Sequence, residues 1–154
     1  MTAKEYLLQA YLLDQRIDGK LEQVEALRSL ATKSNAIIRS NPGSGGGNNN
    51  FMEDVVIKIV DLEKEITAEM ERMVELKKEI AEVIGRVEDP ALQTLLELRY
   101  LCYRDWPEIM SEMYYSKTSV HRLHQKALEK IMQILTDGTK WDKMEQDGTK
   151  DVVI

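Results

Sequence analysis

The sequence predicts an all-α protein, in which an N-terminal antiparallel coiled-coil helical hairpin is followed by a small helix-turn-helix domain. Two segments carry apolar residues every three or four positions, which is the spacing of a helix that packs along one face. Helix-start signals then recur at Asp89, Asp105 and Ser116. Aromatic residues make up only 6% of the chain, a composition typical of long helices and not of sheets.

Charge is distributed unevenly along the 154 residues, whose net charge is −6. Residues 1–89 carry 12 basic and 17 acidic side chains, and residues 136–154 carry 3 and 5. Residues 90–135 carry 6 and 5, together with both histidines. The chain as a whole is therefore not a basic nucleic-acid coat, and residues 90–135 are the only stretch that is not acidic.

The first half of the chain contains two apolar stripes that each advance in alternating steps of four and three, the period of a coiled-coil seam. Each stripe has one charged exception, Lys20 in the first and Glu69 in the second. The first stripe comprises Tyr6, Ala10, Leu13, Ile17, Val24, Leu27 and Ala31, and the second comprises Val55, Ile59, Leu62, Ile66, Met73, Leu76, Ile80, Val83 and Val87.

If the chain folds back about residues 44–45, the two charged exceptions face each other. We therefore predict a hairpin over residues 1–87 with a buried or half-buried Lys20–Glu69 ion pair, which adds little net stability but can fix the register. The sequence SNPGSGGGNNN at residues 40–50 is interpreted as a flexible linker. It does not resemble a phosphate-binding loop, because no Lys-Ser/Thr follows its last glycine.

The second half has the pattern of a helix-turn-helix over residues 88–135. Asp105 and Glu108 have the spacing of a capping box. A break at Tyr114-Tyr115 precedes Ser116, which is a suitable N-cap for a helix that we predict to end near Leu135. Residues 136–154 contain DGTK twice and few apolar side chains, so we predict a flexible tail.

Residues 95–131, LLELRYLCYRDWPEIMSEMYYSKTSVHRLHQKALEKI, resemble region 4 of bacterial sigma factors. The whole chain resembles a phage and prophage family of Gram-positive bacteria, related to the ArpU- and RinA-type regulators of late genes. The resemblance implies a sequence-specific, double-stranded DNA-binding transcriptional regulator that acts with host RNA polymerase. Tyr114 stands where many relatives of this motif have glycine, and Met110 stands where a small residue is usual.

In the resembling family, the first turns of the second motif helix enter the major groove. A helical wheel places the polar side chains of this helix opposite Val120. Arg122 could bind guanine and Gln125 adenine, while the lysines suit phosphates. The predicted DNA-binding residues are Ser116, Lys117, Thr118, Ser119, His121, Arg122, Gln125, Lys126, Lys130 and Arg104.

Alternative functions remain open from the sequence. A small terminase subunit also combines a helix-turn-helix with a coiled-coil oligomeriser, and a sigma-like adaptor would bind a protein instead of DNA. The polar helix face could also be no more than a solvated surface. The expected partners are DNA, host RNA polymerase and a second copy of the chain bound through the hairpin.

The sequence does not predict an enzyme, a cofactor or a metal site. His121 and His124 have a spacing that can bind metal, but no third ligand lies nearby, and we expect His124 to be hydrogen-bonded on the apolar side of its helix. Cys102 lies in an apolar run and is predicted to be a buried thiol. No run approaches the ~20 apolar residues that span a bilayer, so we expect a cytoplasmic protein of a bacterial host.

Overall fold

The computed structural model describes residues 1–40 and 48–148, and every regular element in these ranges is helical. The predicted all-α class is confirmed. None of the helices in the described ranges is sufficiently long and apolar to cross a membrane. The elements are α1 (Ala3–Ser40), α2 (Asn48–Gly85), α3 (Pro90–Leu96), a π-helical turn (Glu97–Leu101), α4 (Trp106–Met113) and α5 (Lys117–Gly148).

Two predicted boundaries differ from the observed ones. Most of the predicted linker, residues 41–47, lies outside the described residues, but Ser40 belongs to α1 and residues 48–50 belong to α2. Helix α5 continues to Gly148, so the prediction that it ends near Leu135 was wrong. A single glycine such as Gly138 costs only about 1 kcal/mol in a helix interior, which does not suffice to end the helix.

The described chain packs as two compact units. One unit is Leu12–Glu75, which comprises the middle of α1 and most of α2. The other contains Met1–Tyr11 together with the chain from Leu76 onward. The division into a hairpin, a DNA-binding domain and a tail at residues 87 and 135 stays a prediction.

Within the unit Leu12–Glu75, the predicted pair between Lys20 and Glu69 is confirmed. The Lys20 Nζ lies 2.7 Å from the Glu69 Oε1, and the two side chains are only 19% and 14% exposed. The hydrogen bond from Lys20 lowers the pKa of the Glu69 carboxyl. Arg16 also pairs with Glu69, whereas Arg28 pairs with Glu63. As the residue number in α1 rises, the residue number of its ion-pair partner in α2 falls. The two helices therefore run antiparallel in this unit.

The other unit has a core to which the start of α1 and the end of α2 contribute. Leu7, Ile80 and Ile84 are fully buried there, in one cluster with Leu96 of α3 and Ile131 of α5. Burying each side chain of this size stabilises the folded state by roughly 1.5–3 kcal/mol. The unit that holds the predicted helix-turn-helix is thus completed by residues from the beginning of the chain.

The helix starts predicted in this unit are confirmed. The Asp89 carboxylate accepts hydrogen bonds from the first-turn amides of α3. At α4, Asp105 accepts from the Glu108 amide at 2.9 Å while Glu108 accepts from the Asp105 amide at 3.0 Å, which completes the capping box. Each cap satisfies backbone donors that a helix leaves without an internal partner.

The π-helical turn Glu97–Leu101 was not predicted, and it changes which residues are buried. A π turn contains one residue more than an α turn, so the helical pattern shifts after it. Tyr100 is buried, but Cys102 is exposed. The prediction of a buried Cys102 thiol was therefore wrong.

Candidate nucleic-acid interface

Helix α5 has one buried face and one polar face, as the helical wheel predicts. Val120, His124, Ala127 and Ile131 are all buried, in steps of four, three and four. The predicted DNA-binding residues of this helix are exposed, apart from the half-buried Ser119; the exposed ones are Lys117, Thr118, His121, Arg122, Gln125, Lys126 and Lys130. The buried stripe fixes the rotation of the helix about its own axis, and this leaves the basic and amide side chains on the outside.

Three side chains in the middle of the polar face are available for a partner. Arg122, Gln125 and Lys126 have no hydrogen-bond or ion-pair partner among the residues that the structure describes. Four exposed basic residues of α5 between positions 117 and 130 stand against one exposed acidic residue, Glu129. This face is therefore positively charged although the chain as a whole is acidic, which suits a phosphate-rich partner.

The start of α5 is closed by Ser116, as predicted. The Ser119 amide donates to the Ser116 Oγ at 3.3 Å, and the Ser116 hydroxyl donates to the Ser119 Oγ at 3.0 Å. Ser116 is itself exposed, so the helix N-terminus lies at the surface. Such a terminus carries a partial positive charge and can bind an anion such as a phosphate.

A buried polar and aromatic contact set holds α5 against the elements before it. His124 Nε2 lies 2.7 Å from the hydroxyl of Tyr100, which belongs to the π-helical turn. The indole of Trp106, at the start of α4, meets the His124 ring edge-on with 4.7 Å between centroids. The Arg99 guanidinium lies over the Trp106 ring, 4.5 Å from its centroid. His124 is thus hydrogen-bonded on the apolar side of its helix, as the sequence predicts, but it is buried where the sequence predicts a half-buried side chain.

Burial, together with the nearby charges of Lys4 and Arg99, lowers the pKa of His124 to about 4. Burial also raises the pKa of Tyr100 to about 12. At neutral pH both side chains are therefore uncharged, so the contact is a neutral hydrogen bond inside an apolar core. The exposed His121 and the buried His124 lie in different environments, and no cluster of three potential metal ligands exists within the described residues.

Arg104 is exposed, as expected of a phosphate-binding residue, but it has a partner. Its Nη1 lies 2.7 Å from the Glu112 Oε1, and both side chains are partly exposed. The Arg104 backbone carbonyl also accepts a hydrogen bond from Arg99 at 3.0 Å. Arg104 would have to leave Glu112 in order to bind a phosphate, so its contribution should be smaller than that of Lys126.

Two non-glycine residues of the described chain adopt a left-handed conformation, Tyr103 at φ 55° and Tyr114 at φ 57°. Tyr114 ends α4 and has ψ 39°, so it takes the conformation that glycine usually supplies at such a turn. A side chain in this conformation costs about 1–2 kcal/mol. The sequence shows that a tyrosine and not a glycine follows α4, but it does not show that the Tyr114 ring is exposed.

A family model described as "Protein of unknown function (DUF1492)" matches residues 34–132. This match spans more than half of the chain, and the protein therefore belongs to that family. The matched range includes α2, α3, α4 and the first half of α5, and hence the whole polar face described above. No curated protein and no solved structure matches the chain.

Proposed function

We propose that the protein is a sequence-specific, double-stranded DNA-binding transcriptional regulator. The observation that carries the proposal is the polar face of α5, where Arg122, Gln125 and Lys126 are exposed without partners and lie opposite a buried stripe. Arginine and glutamine are suited to bidentate contacts with guanine and adenine edges, and lysine to phosphate. The buried contact between His124 and Tyr100 supports the same function, because base reading needs a helix of fixed orientation.

The resemblance to sigma region 4 and to the ArpU- and RinA-type regulators extends this proposal. It suggests regulation of phage late genes, with host RNA polymerase as a protein partner and the host cytoplasm as the location. Recruitment of the polymerase to a late promoter is the mechanism we favour. In this mechanism α5 selects the site, and the remaining surface of the unit is available to the polymerase.

A second copy of the chain is the partner we propose for α2. Its exposed residues Val56, Val60, Met70 and Val74 lie one position after the stripe that faces α1, and Glu63 and Thr67 occupy the two positions between Val60 and Met70. An antiparallel pair of α2 helices about a twofold axis near Glu65 would set Val56 against Val74 and Val60 against Met70. The stripe is self-complementary under this symmetry, as a homodimer interface must be. A dimer would also double the number of phosphate contacts.

Titration of the full chain against duplex DNA tests the proposal. A site should first be selected from a pool of random duplexes. Arg122→Ala should then weaken binding to the selected site by ~1–3 kcal/mol and relax the preference at one base pair. Arg39→Ala is the matched control, since it removes an exposed arginine from the end of α1.

Lys126→Ala should weaken binding to all sequences alike and lower the salt slope by about one, because a lysine that binds a phosphate displaces a counterion. Lys58→Ala removes an exposed lysine from α2 and should change neither the affinity for DNA nor the salt slope. If Arg122→Ala and Lys126→Ala both bind DNA like the wild type at physiological salt, the polar face belongs to a protein partner or to solvent.

A further inference from the structure

Tyr114 combines a left-handed backbone with an exposed ring, and only the backbone has a structural reason: the Tyr114 and Tyr115 amides both donate to the Met110 carbonyl and close α4. It is left-handed at φ 57°, and its side chain is 94% exposed. A glycine would adopt this conformation without strain, and a polar side chain would be better solvated than an aromatic ring. Strained residues that persist in a fold are concentrated at functional sites. The cap explains the backbone conformation but not the presence of an exposed tyrosine in place of glycine, so the side chain points to a role outside the folding of the chain itself.

Tyr103 provides the internal comparison, because it has nearly the same φ. Its ring is half-buried and meets the Tyr11 ring edge-on, with 5.6 Å between centroids. The Lys77 ammonium lies 5.0 Å from the centroid of the same ring. The Tyr103 ring therefore has contacts within the unit, although its hydroxyl is buried without a hydrogen-bond partner among the described residues. No ring contact, hydrogen bond or ion pair of the Tyr114 side chain exists among the residues the structure describes.

The position of Tyr114 indicates what its ring meets. It stands two residues before Ser116, whose hydroxyl caps the surface-exposed N-terminus of α5. In a helix-turn-helix that docks by this terminus, residues inside the first turns reach the bases, whereas residues just before the helix flank the groove and meet the backbone. A tyrosine hydroxyl is a neutral donor that suits a phosphate oxygen.

We propose that Tyr114 donates a hydrogen bond from its hydroxyl to a DNA backbone phosphate next to the groove that α5 enters. This inference rests on the proposed DNA-binding function and adds a contact that the sequence pattern did not predict. A neutral donor releases no counterion when it binds a phosphate. Tyr114 should therefore add affinity equally for all sequences and leave the salt dependence unchanged, unlike Lys126.

Two variants of the full chain test the contact. Tyr114→Phe keeps the ring and the backbone but removes the donor, so it should weaken DNA binding about threefold to tenfold, with an unchanged salt slope and an unchanged Tm. Tyr114→Gly should weaken binding at least as much while raising Tm by about 2–4 °C, since it relieves the left-handed strain. Lost affinity together with gained stability is not expected of a residue with a merely structural role.

The outcomes separate this inference from the function on which it rests. If the wild type binds no duplex, the proposed function fails and the contact fails with it. If the wild type binds and Arg122→Ala weakens binding, but Tyr114→Phe and Tyr114→Gly both bind like the wild type, the phosphate contact alone is refuted. If these two variants instead lose affinity for purified RNA polymerase and keep DNA binding, the partner of Tyr114 is a protein and the inference is overturned.

Discussion

Acidification should destabilise the protein through His124, and the size of the effect follows from its environment. The His124 ring is buried against Tyr100 and Trp106, and burial lowers its pKa from 6.5 to about 4. Between these values the unfolded state binds more protons than the folded state. The contribution of His124 to the free energy of unfolding is therefore fully present above pH 6.5 and is lost as the pH falls toward 4. Each pKa unit corresponds to ~1.4 kcal/mol, which gives roughly 3 kcal/mol over the whole range and roughly 2 kcal/mol at pH 5.

Urea denaturation at pH 7.5 and pH 5, followed by circular dichroism, measures this loss. Other groups also titrate in this interval, so the contribution of His124 is the difference between the wild type and a chain that lacks the ring. Tyr100→Phe combined with His124→Leu removes both partners of the buried hydrogen bond and leaves no unpaired hydroxyl. This double variant should lose roughly 2 kcal/mol less than the wild type between the two pH values. His121→Gln removes the exposed histidine of the same helix, whose charge makes the smallest contribution to the lowered pKa of His124, so this variant should change the acid-induced loss only slightly.

His124→Leu alone separates hydrogen bonding from protonation. At pH 7.5 it should cost ~1–3 kcal/mol, because it leaves the buried Tyr100 hydroxyl without its partner. Adding Tyr100→Phe should recover part of that cost. The reasoning is refuted if the wild type and the double variant lose equal stability on acidification. A pKa of His124 near 6.5, measured by NMR on its ring protons, would refute it directly.

Other changes test the packing, the caps and the assembly. Leu7→Ala should cost ~2–5 kcal/mol in urea denaturation, because Leu7 is 0% exposed, whereas Leu12→Ala at 58% exposed should cost little; equal effects would contradict the placement of Leu7 in the core. Asp105→Ala should cost ~1 kcal/mol by losing the capping box, as thermal unfolding would report. Val60→Lys combined with Met70→Lys should convert a dimer into a monomer in sedimentation equilibrium; a wild-type monomer would remove the α2 interface, and a ring of eight or more chains would favour a packaging protein.

The elements that sequence predicts well here are those set by local chemistry. Lys20 and Glu69 could be paired because each is the one charged residue in an apolar stripe. The start of α4 follows from Asp105 and Glu108, whose spacing alone specifies the capping box. The exposure of Arg122 follows from the periodicity of α5. The last two predictions require no distant contact, and the Lys20–Glu69 pair requires only that the two stripes face each other in antiparallel register.

The missed features depend on tertiary packing. The seam spacing of Tyr6 and Ile80 predicted that they face another helix, but not that the start of α1 and the end of α2 share a core with α3 and α5. The π-helical turn has no sequence signal that we recognise, and Cys102, which directly follows this turn, is exposed. At the candidate interface, the pairing of Arg104 with Glu112 required knowing how α4 approaches the preceding loop.

The exposed thiol of Cys102 has a practical consequence for every assembly measurement on this protein. It is the only cysteine of the chain, so under oxidising conditions two molecules can be joined by one disulfide and by no other. Such a covalent pair would have the same mass as the proposed α2-mediated dimer, but it would dissociate when a reductant is added. The same thiol offers a single attachment point for a fluorophore, close to α4 and far in sequence from the α2 stripe. The anisotropy of a dye there would test the proposed DNA binding, with Cys102→Ser as the unlabelled reference.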